Sequence, residues 1–305
     1  MVALNRHRRI VAYGRMADSL LDYLRGIRDD EGRFPERPTY GYAMTAWFGQ
    51  LAPGPDDELS RRALAAHATV DPKWRDYPWE FVTFALSSLD RLRPGFVPRE
   101  LLEGHRTRGT RVTNWRLLRV MNGAMRRGPS LPVWLAAHAI RRVFTSREGL
   151  IRDALGTRSL QYHAFSSLLV ARLHALCGWP FLLDWLERAA LLSRRQTMAD
   201  GTALYLGRGQ EQIFGYGSLL YVYEYVDRLC PELGLGEVTD RVLGRLASFQ
   251  RPDGSFPLVL RRREPERPNA TADECPAGWY GYNTLYDYLP LLGVCLSLLA
   301  REGWQ

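Results

Sequence analysis

Two patterns of apolar and polar residues alternate along the chain. In the first, apolar side chains return every three or four residues, so that Leu20, Leu24 and Ile27 share one face of a helix. In the second, as in residues 216–226 and 282–299, nearly every position is apolar. The first pattern predicts helices that bury one face only, and the second predicts helices that are packed on both sides.

A short motif marks the points where a helix of the first kind gives way to one of the second. It consists of an Asp-Gly or Glu-Gly pair, an extended stretch and a helix start rich in tyrosine. Three copies begin at residues 30–35, 200–204 and 253–257 and lead to helix starts at residues 40–42, 215–217 and 279–282. Glycine suits the positive φ of a tight turn, and aspartate can bond its own backbone there. Each copy predicts a joint between two helices.

Three further joints are predicted at residues 71–79, 104–114 and 153–161, with helical patterns on both sides. Six joints at a spacing of roughly 40 to 50 residues indicate a repeat of helical hairpins. We therefore predict an all-α fold, an (α/α)6 toroid with amphipathic helices outside and apolar helices inside. Because no linker interrupts residues 1–305, we expect a single domain.

The joints before the inner helices are the candidate functional site. In a toroid the first turns of the inner helices meet at one mouth, where their free N–H groups favour an anionic ligand. The densest polar joint is residues 208–212, Arg-Gly-Gln-Glu-Gln, which precedes Tyr216. This joint could also be a solvated loop with helix-capping groups.

Two other inner helices begin with polar and aromatic residues. Asn114 and Trp115 open the third inner helix, and residues 161–163, Gln-Tyr-His, open the fourth. Both starts also have an ordinary structural interpretation, because Asn114 could cap its helix and His163 could be satisfied in the core.

An amide, an imidazole, a guanidinium and a phenol at an anionic pocket suit the removal of a proton beside a carboxylate. Neutralising the carboxylate of a uronate makes its α-proton easier to remove, and Asn114, Arg208 or Gln210 could do this. His163 or Tyr216 would then take the proton, and the other, most simply Tyr216, would protonate the departing glycosidic oxygen. We therefore predict β-elimination with the catalytic residues His163, Tyr216, Asn114 and Arg208. The predicted substrate-binding residues are Gln210, Glu211, Tyr162, Trp115, Arg119, Tyr280 and Tyr282.

The net charge and the cysteine content restrict which ligands, metals and disulfides we expect. The 41 Lys and Arg residues against 33 Asp and Glu residues give a net charge of +8, which attracts any polyanion. We expect an acidic saccharide or a small anionic substrate, because no motif favours nucleic acid. The four cysteines lack close spacing, so we expect neither a metal nor a disulfide, and no cofactor is expected.

Targeting signals are also missing from the pattern. Residues 1–23 are basic without a continuous apolar core, and no later stretch reaches the roughly 18 apolar residues of a membrane span. We therefore expect a cytoplasmic protein without a membrane partner. The sequence predicts no oligomeric state.

At the candidate residues the chain resembles the toroidal polysaccharide lyases, the alginate, chondroitin and heparinase-like enzymes that use an Asn, His, Tyr and Arg set. The order Asn114, His163, Arg208 and Tyr216 along successive hairpins is similar to that set. The stretches at residues 114–121, 162–165 and 204–208 also look like an uncharacterised bacterial toroid family, DUF2264. The resemblance covers residues 110–225 and implies a lyase.

This chain departs from those lyases in two respects. They usually carry a C-terminal β-sandwich and are commonly exported, whereas here the sixth predicted hairpin reaches Gln305 and no signal is seen. The departures favour an oligosaccharide or a small uronate-like substrate over a long polymer.

Other functions remain open. Glycoside hydrolysis needs two carboxylates across the scissile bond. The candidate carboxylates at the mouth are Asp30, Glu31, Asp76, Glu80, Asp153, Asp200, Glu211, Asp253 and Glu274. A toroid that binds an acidic glycan without turning it over is the non-enzymatic alternative. Residues 245–256 resemble the QW repeat of triterpene cyclases and protein prenyltransferases, although the acidic segment and the zinc triad of those enzymes are not recognisable.

Overall fold

The computed structural model describes residues 6–70, 79–103, 109–261 and 284–302. Within these ranges the chain forms twelve α-helices, one short 3-10 helix and no β-strand. The α-helices are α1 (Arg6–Gly26), α2 (Gly41–Leu51), α3 (Asp57–Thr69), α4 (Trp79–Leu92), α5 (Arg99–Leu102), α6 (Thr113–Arg127), α7 (Leu131–Phe144), α8 (Leu160–Cys177), α9 (Pro180–Arg195), α10 (Ile213–Leu229), α11 (Gly236–Ala247) and α12 (Leu285–Glu302). None of the described helices combines the length and the apolar character needed to span a membrane.

The two predicted kinds of helix alternate along the chain. Every residue of α2 is buried, and so are the first fourteen residues of α10, Ile213 to Val226. The amphipathic helices bury one face, as α11 does with Val238, Val242 and Leu246. The predicted pairing of an amphipathic helix with a following apolar helix is confirmed in these elements.

The helices pack as two compact units. One comprises Met1–Arg9 and Arg108–Ser248, and the other comprises Ile10–Thr107 and Phe249–Gln305. In the first unit, α8 packs against α6, α9 and α10, and α10 also packs against α11. In the second unit, α2 packs against α3, α4 and α12. A single domain over residues 1–305 stays a prediction.

The predicted Asp-Gly and Glu-Gly joints have the backbone that their glycines suggest. Gly32, Gly201 and Gly254 all have positive φ, between 79° and 86°. Gly149 is a fourth copy that the sequence analysis missed. The turns at Gly32 and Gly149 close in the same way, through N–H donation to the carbonyl three residues earlier, at 2.9 and 3.1 Å.

These turns pack directly on the backbone of an amphipathic helix. A β-carbon at Gly149 would lie 2.5 Å from the carbonyl oxygen of Arg188 in α9. At Gly201 the same atom would lie 2.2 Å from the carbonyl oxygen of Arg241 in α11. Glycine is therefore required at these turns both by conformation and by the close approach of a neighbouring helix.

Two of the predicted joints fall partly outside the described residues. These are the joint at residues 71–79, of which only Trp79 is described, and the first part of the joint at residues 104–114. The helix start at residues 279–282, with the candidates Tyr280 and Tyr282, also lies outside the described ranges.

Candidate functional site

Three neighbouring helices of the first unit, α6, α8 and α10, bring most of the predicted site residues to one end. The starts of α8 and α10 meet where the side-chain amide of Gln161 donates to the carbonyl oxygen of Gln212, at 3.3 Å. Farther along, Arg172 donates to the hydroxyl of Tyr221 at 3.1 Å, so the two helices run in the same direction. The start of α6 joins them because the N–H of Thr113 donates to the carbonyl oxygen of Asp153, at 2.7 Å.

The polar joint before α10 has an unusual backbone. Leu204 and Glu211 both have positive φ, 61° and 57°, although neither is glycine. The N–H of Glu211 donates to the carbonyl oxygen of Leu204 at 3.1 Å and closes the loop between them. Left-handed backbone in a non-glycine residue is strained, and such residues cluster at functional sites. The loop is therefore a candidate binding or catalytic segment.

Arg208, at the centre of this loop, holds a buried carboxylate. Its guanidinium makes two hydrogen bonds to the side chain of Asp153, from Nε to Oδ2 and from Nη2 to Oδ1, the second at 3.1 Å. The same guanidinium lies 4.4 Å from the centre of the Tyr162 ring. The predicted residues Arg208 and Tyr162 are thus brought together, with Asp153 as the counter-ion of the arginine.

Three buried amides lie at the starts of the same helices. We call Asn114, Gln161 and Gln212 the amide cluster; each is at most 1% exposed. Two glycines make room for two of them. A β-carbon at Gly215 would lie 2.3 Å from Nε2 of Gln161, and one at Gly209 would lie 2.9 Å from Oε1 of Gln212.

Most polar atoms of the amide cluster have no hydrogen-bond partner in the protein. These are Nδ2 and Oδ1 of Asn114, Oε1 of Gln161, and Nε2 and Oε1 of Gln212. Leaving a buried donor or acceptor unsatisfied costs about 1–3 kcal/mol. Five such atoms at adjoining helix starts are more than packing alone explains, because buried polar groups are normally paired.

Tyr216 lies beside this site, but its hydroxyl is hydrogen-bonded within the protein. It is fully buried, its hydroxyl donates to the carbonyl oxygen of Ala203 at 2.9 Å, and it accepts from the N–H of Ala203 at 3.1 Å. Arg245 donates to the same hydroxyl at 3.3 Å and to the carboxylate of Glu211 at 2.9 Å. Burial raises the pKa of Tyr216 to about 12. This geometry opposes the predicted role in proton transfer.

The ring of His163 is likewise hydrogen-bonded within the protein. Its Nδ1 accepts from the N–H of Ile151 at 3.0 Å, and its Nε2 lies 3.1 Å from the hydroxyl of Ser193 and 3.3 Å from the carbonyl oxygen of Ala189. The ring is fully buried, and burial lowers its pKa to about 4. Both ring nitrogens have partners within the protein, so the contacts agree with the structural interpretation of His163. Neither nitrogen is free for the predicted role as a base.

His163 and Tyr216 are equivalent positions of two repeats. Each accepts a hydrogen bond from the backbone N–H of the residue two places after the turn glycine, which is Ile151 after Gly149 and Ala203 after Gly201. Tyr42 in the second unit accepts from the N–H of Phe34, two places after Gly32, at 3.4 Å. These side chains therefore fasten a repeated turn to the helix that follows it.

The remaining predicted residues lie at the edge of the site. Trp115 and Arg119 in α6 and Gln210 in the polar joint are half-buried, while Glu211 is buried and bonded to Arg245. Gln161 and Gln212 lie in two segments that were predicted to belong to the site, but no role was predicted for them or for Arg245. The spacing Gly209-x-x-Gln212-x-x-Gly215 was the available signal, since small residues flank the glutamine. Among the described residues no group of His, Cys, Asp or Glu is arranged to hold a metal ion.

No protein-family model and no curated protein matches this sequence. Solved structures do share its fold. A sugar epimerase from a ruminal bacterium is 12% identical over 95% of this chain and 98% of its own, with a TM-score of 0.69. The α-1,6-mannanase from Salegentibacter sp. HEL1_6 is 12% identical over 94% and 99%, with a TM-score of 0.64. A polysaccharide lyase is 12% identical over 94% and 97%, with a TM-score of 0.60.

These similarities confirm the predicted fold class. The chain is an all-α protein of the (α/α)6 toroid class, and it is similar in fold to a polysaccharide lyase. Identities of 12% establish the fold alone, and the named activities of the similar structures differ, with a terpene cyclase among them. The likeness to the DUF2264 family stays a prediction.

Proposed function

We propose that this protein is a carbohydrate-active enzyme that binds a saccharide at the amide cluster. The observation that carries the proposal is the set of five buried amide atoms without partners in Asn114, Gln161 and Gln212. A side-chain amide offers both donors and an acceptor, and a sugar hydroxyl is both donor and acceptor. A bound saccharide would satisfy these atoms and recover their desolvation cost. The fold supports the proposal, since it is shared with a mannanase, an epimerase and a polysaccharide lyase.

The reaction that we propose is β-elimination on an acidic saccharide, with a revised set of residues. Asn114 would bond the substrate carboxylate and stabilise the charge that develops as the α-proton leaves. Tyr162 would take the α-proton and deliver it to the departing glycosidic oxygen, because its ring lies 4.4 Å from the guanidinium of Arg208 in the polar joint. His163 and Tyr216 would only shape the site.

Hydrolysis is the second candidate, and two buried carboxylates favour it. Asp153 is bound by Arg208, and Glu211 is bound by Arg245. Asp153 and Glu211 would act across the scissile bond. We rank hydrolysis second because both carboxylates already have arginine partners, whereas the amides lack partners.

A panel of uronate-containing and neutral oligosaccharides tests both candidates. Ultraviolet absorbance detects the conjugated double bond that only elimination creates, and new reducing ends without this absorbance indicate hydrolysis. Binding without any product would support the non-catalytic alternative. If no member of the panel binds, the proposed saccharide site is wrong.

The variant Asn114→Leu tests the amide cluster itself. Replacing an unsatisfied buried amide with an apolar side chain of similar size should leave the free energy of unfolding unchanged or increase it by about 1 kcal/mol. Binding and turnover should fall at least tenfold, a loss of about 1.4 kcal/mol. The matched control is Asn122→Leu in the same helix, about 12 Å farther along its axis. Equal loss of binding in both variants would contradict the proposal.

A further inference from the structure

Exposed apolar residues run along helix α7 of the first unit. Leu131 is 67% exposed, Leu135 is 53% exposed and Val143 is 48% exposed, and Trp134 is exposed beside them. We call these four residues the α7 face. They are four of the ten large apolar residues that are exposed in the described part of the chain, so exposure is concentrated on this one helix.

The α7 face is not a part of the core that lacks packing. The opposite side of the helix is buried through Val133, Ala137, Ile140 and Phe144. A helix that already buries one apolar side has no structural need for a second. Concentrated exposed apolar residues mark an interaction site on a protein surface.

Neighbouring aromatic rings of α9 and its N-cap extend the face. Phe181 lies 6.1 Å from Trp134 between ring centres, and Trp179 lies 6.0 Å from Phe181. Tryptophan is enriched where an apolar phase meets water, because its indole is apolar with one polar N–H. The composition of the surface therefore matches an interface between lipid and water.

Positive charge surrounds the α7 face. Arg126 and Arg127 end the preceding helix, Arg142 lies within α7, and all three side chains are exposed. Over the described ranges no carboxylate forms an ion pair with any of the three. Burial, followed by the charges of Arg141 and Arg142, lowers the pKa of His138 on the same helix. The exposed charges beside the α7 face are therefore mostly positive, with Asp184 as a carboxylate that pairs with Arg141.

We propose that the α7 face binds the surface of an anionic lipid bilayer. The leucines and Trp134 would enter the interfacial zone, and the three arginines would contact acidic headgroups. Such peripheral binding needs no spanning helix, and it departs from the expectation of no membrane partner, which rested on the search for a span and a signal. A second copy of the chain is a poorer occupant, because it would bring the unpaired arginines of both copies together.

Sedimentation with vesicles tests this proposal on the intact chain. The probes are vesicles of phosphatidylcholine alone and vesicles of equal parts phosphatidylcholine and phosphatidylglycerol. We expect binding to the anionic vesicles, weakened at least tenfold by the double substitution Leu131→Ser with Leu135→Ser and reduced by raised salt. The matched control is Leu155→Ser, since Leu155 is 64% exposed but lies outside α7. It should bind as the unchanged protein does.

Three results would overturn the proposal. The first is no binding of the unchanged protein to either vesicle. The second is equal binding by the double variant and the control. The third is a dimer in solution that the double substitution dissociates, without any binding to vesicles, which would make the α7 face a contact between copies.

Substituting Arg126→Gln together with Arg127→Gln should weaken binding to the anionic vesicles only.

Discussion

At the scale of single residues, the function of a buried polar side chain depends on whether the fold satisfies it. The ring nitrogens of His163 are hydrogen-bonded to the N–H of Ile151 and to the hydroxyl of Ser193. The hydroxyl of Tyr216 accepts from the N–H of Ala203 and donates to its carbonyl oxygen. The amides of Asn114 and Gln212 have no such partners. The satisfied residues stabilise the turns, and the unsatisfied ones are the candidates for contact with a ligand.

Tyr216→Phe distinguishes a structural from a catalytic tyrosine. Removing the hydroxyl leaves the N–H and the carbonyl oxygen of Ala203 without their bonds, so the free energy of unfolding should fall by about 1–3 kcal/mol. Turnover of an accepted substrate should stay within a few fold at a temperature where the variant is folded. Denaturant unfolding and initial rates measure the two effects. A collapse of turnover with unchanged stability would restore the catalytic role of Tyr216.

His163 should make stability depend on pH. Burial lowers its pKa in the folded state to about 4, below its ordinary value of 6.5, so the unfolded chain binds the proton more tightly. Its contribution is therefore complete above about pH 6.5 and is lost as the pH falls through about 4, with a size on the order of 3 kcal/mol. Urea unfolding between pH 4 and pH 7 measures this. In His163→Gln the same pH dependence should be absent, and an identical slope in both proteins would contradict the assignment.

At the scale of elements, one turn repeats with the same geometry in both units. It combines a glycine of positive φ and a neighbouring helix backbone within contact distance with a tyrosine hydroxyl or histidine nitrogen. That atom accepts from the backbone N–H of the residue two places after the glycine. The second unit has this combination at Gly32 and Tyr42, and the first unit has it at Gly149 and Gly201. The turn sets where each inner helix begins, and it thereby places the residues of the candidate site.

Gly149→Ala should damage this turn severely. The substitution forces alanine to a φ of 102° and places its β-carbon 2.5 Å from the carbonyl oxygen of Arg188. We expect a loss of at least about 3 kcal/mol of unfolding free energy, from backbone strain and the clash together. Gly178→Ala is the matched control at the other end of α8, because its φ is 68° and no atom lies within 4 Å of the added carbon. It should cost about 1 kcal/mol, and similar losses in both variants would show that the contact with Arg188 is unimportant.

At the scale of the whole molecule, residues far apart in sequence complete a single packing unit. Arg9 is almost fully buried and donates to Glu224 at 2.5 Å and to Asp240 at 3.3 Å, all within the first unit. This buried ion cluster joins the beginning of the chain to α10 and α11. The unit therefore depends on a segment that the chain contributes more than 200 residues earlier.

Arg9→Met should test that dependence. It removes the hydrogen-bonded partner of a buried carboxylate and should cost about 3–5 kcal/mol, because the charge of Glu224 keeps only the distant Arg6. The matched control is Arg6→Met, since Arg6 is 38% exposed and its Nε lies 3.9 Å from the same carboxylate. The control should lose less than about 1 kcal/mol. Thermal and denaturant unfolding measure both, and equal stability of the two variants would contradict a structural role for the cluster.

Local rules allowed the sequence to predict the elements. Apolar spacing separated the one-sided helices from the fully buried ones, because that spacing follows directly from the geometry of a single helix. The turn glycines were predicted at Gly32, Gly201 and Gly254 because a positive φ is a property of one residue. The copy at Gly149 was missed because the helix that follows it carries His163 at the position where the other copies carry a tyrosine.

Only the tertiary structure decided which polar residues are free to act. Asn114, His163, Gln212 and Tyr216 all stand near the start of a buried helix, and sequence position made them look alike. Apart from the 3.5 Å contact between Tyr216 and Glu211, their side-chain hydrogen-bond partners, where they exist, come from segments 12 to 30 residues away, such as Ile151 for His163. Pairing over such distances depends on how the helices and turns pack together, whereas periodicity and turn chemistry act within a few residues. The sequence could therefore determine the helices and most of the turns, and the packing determined the candidate site.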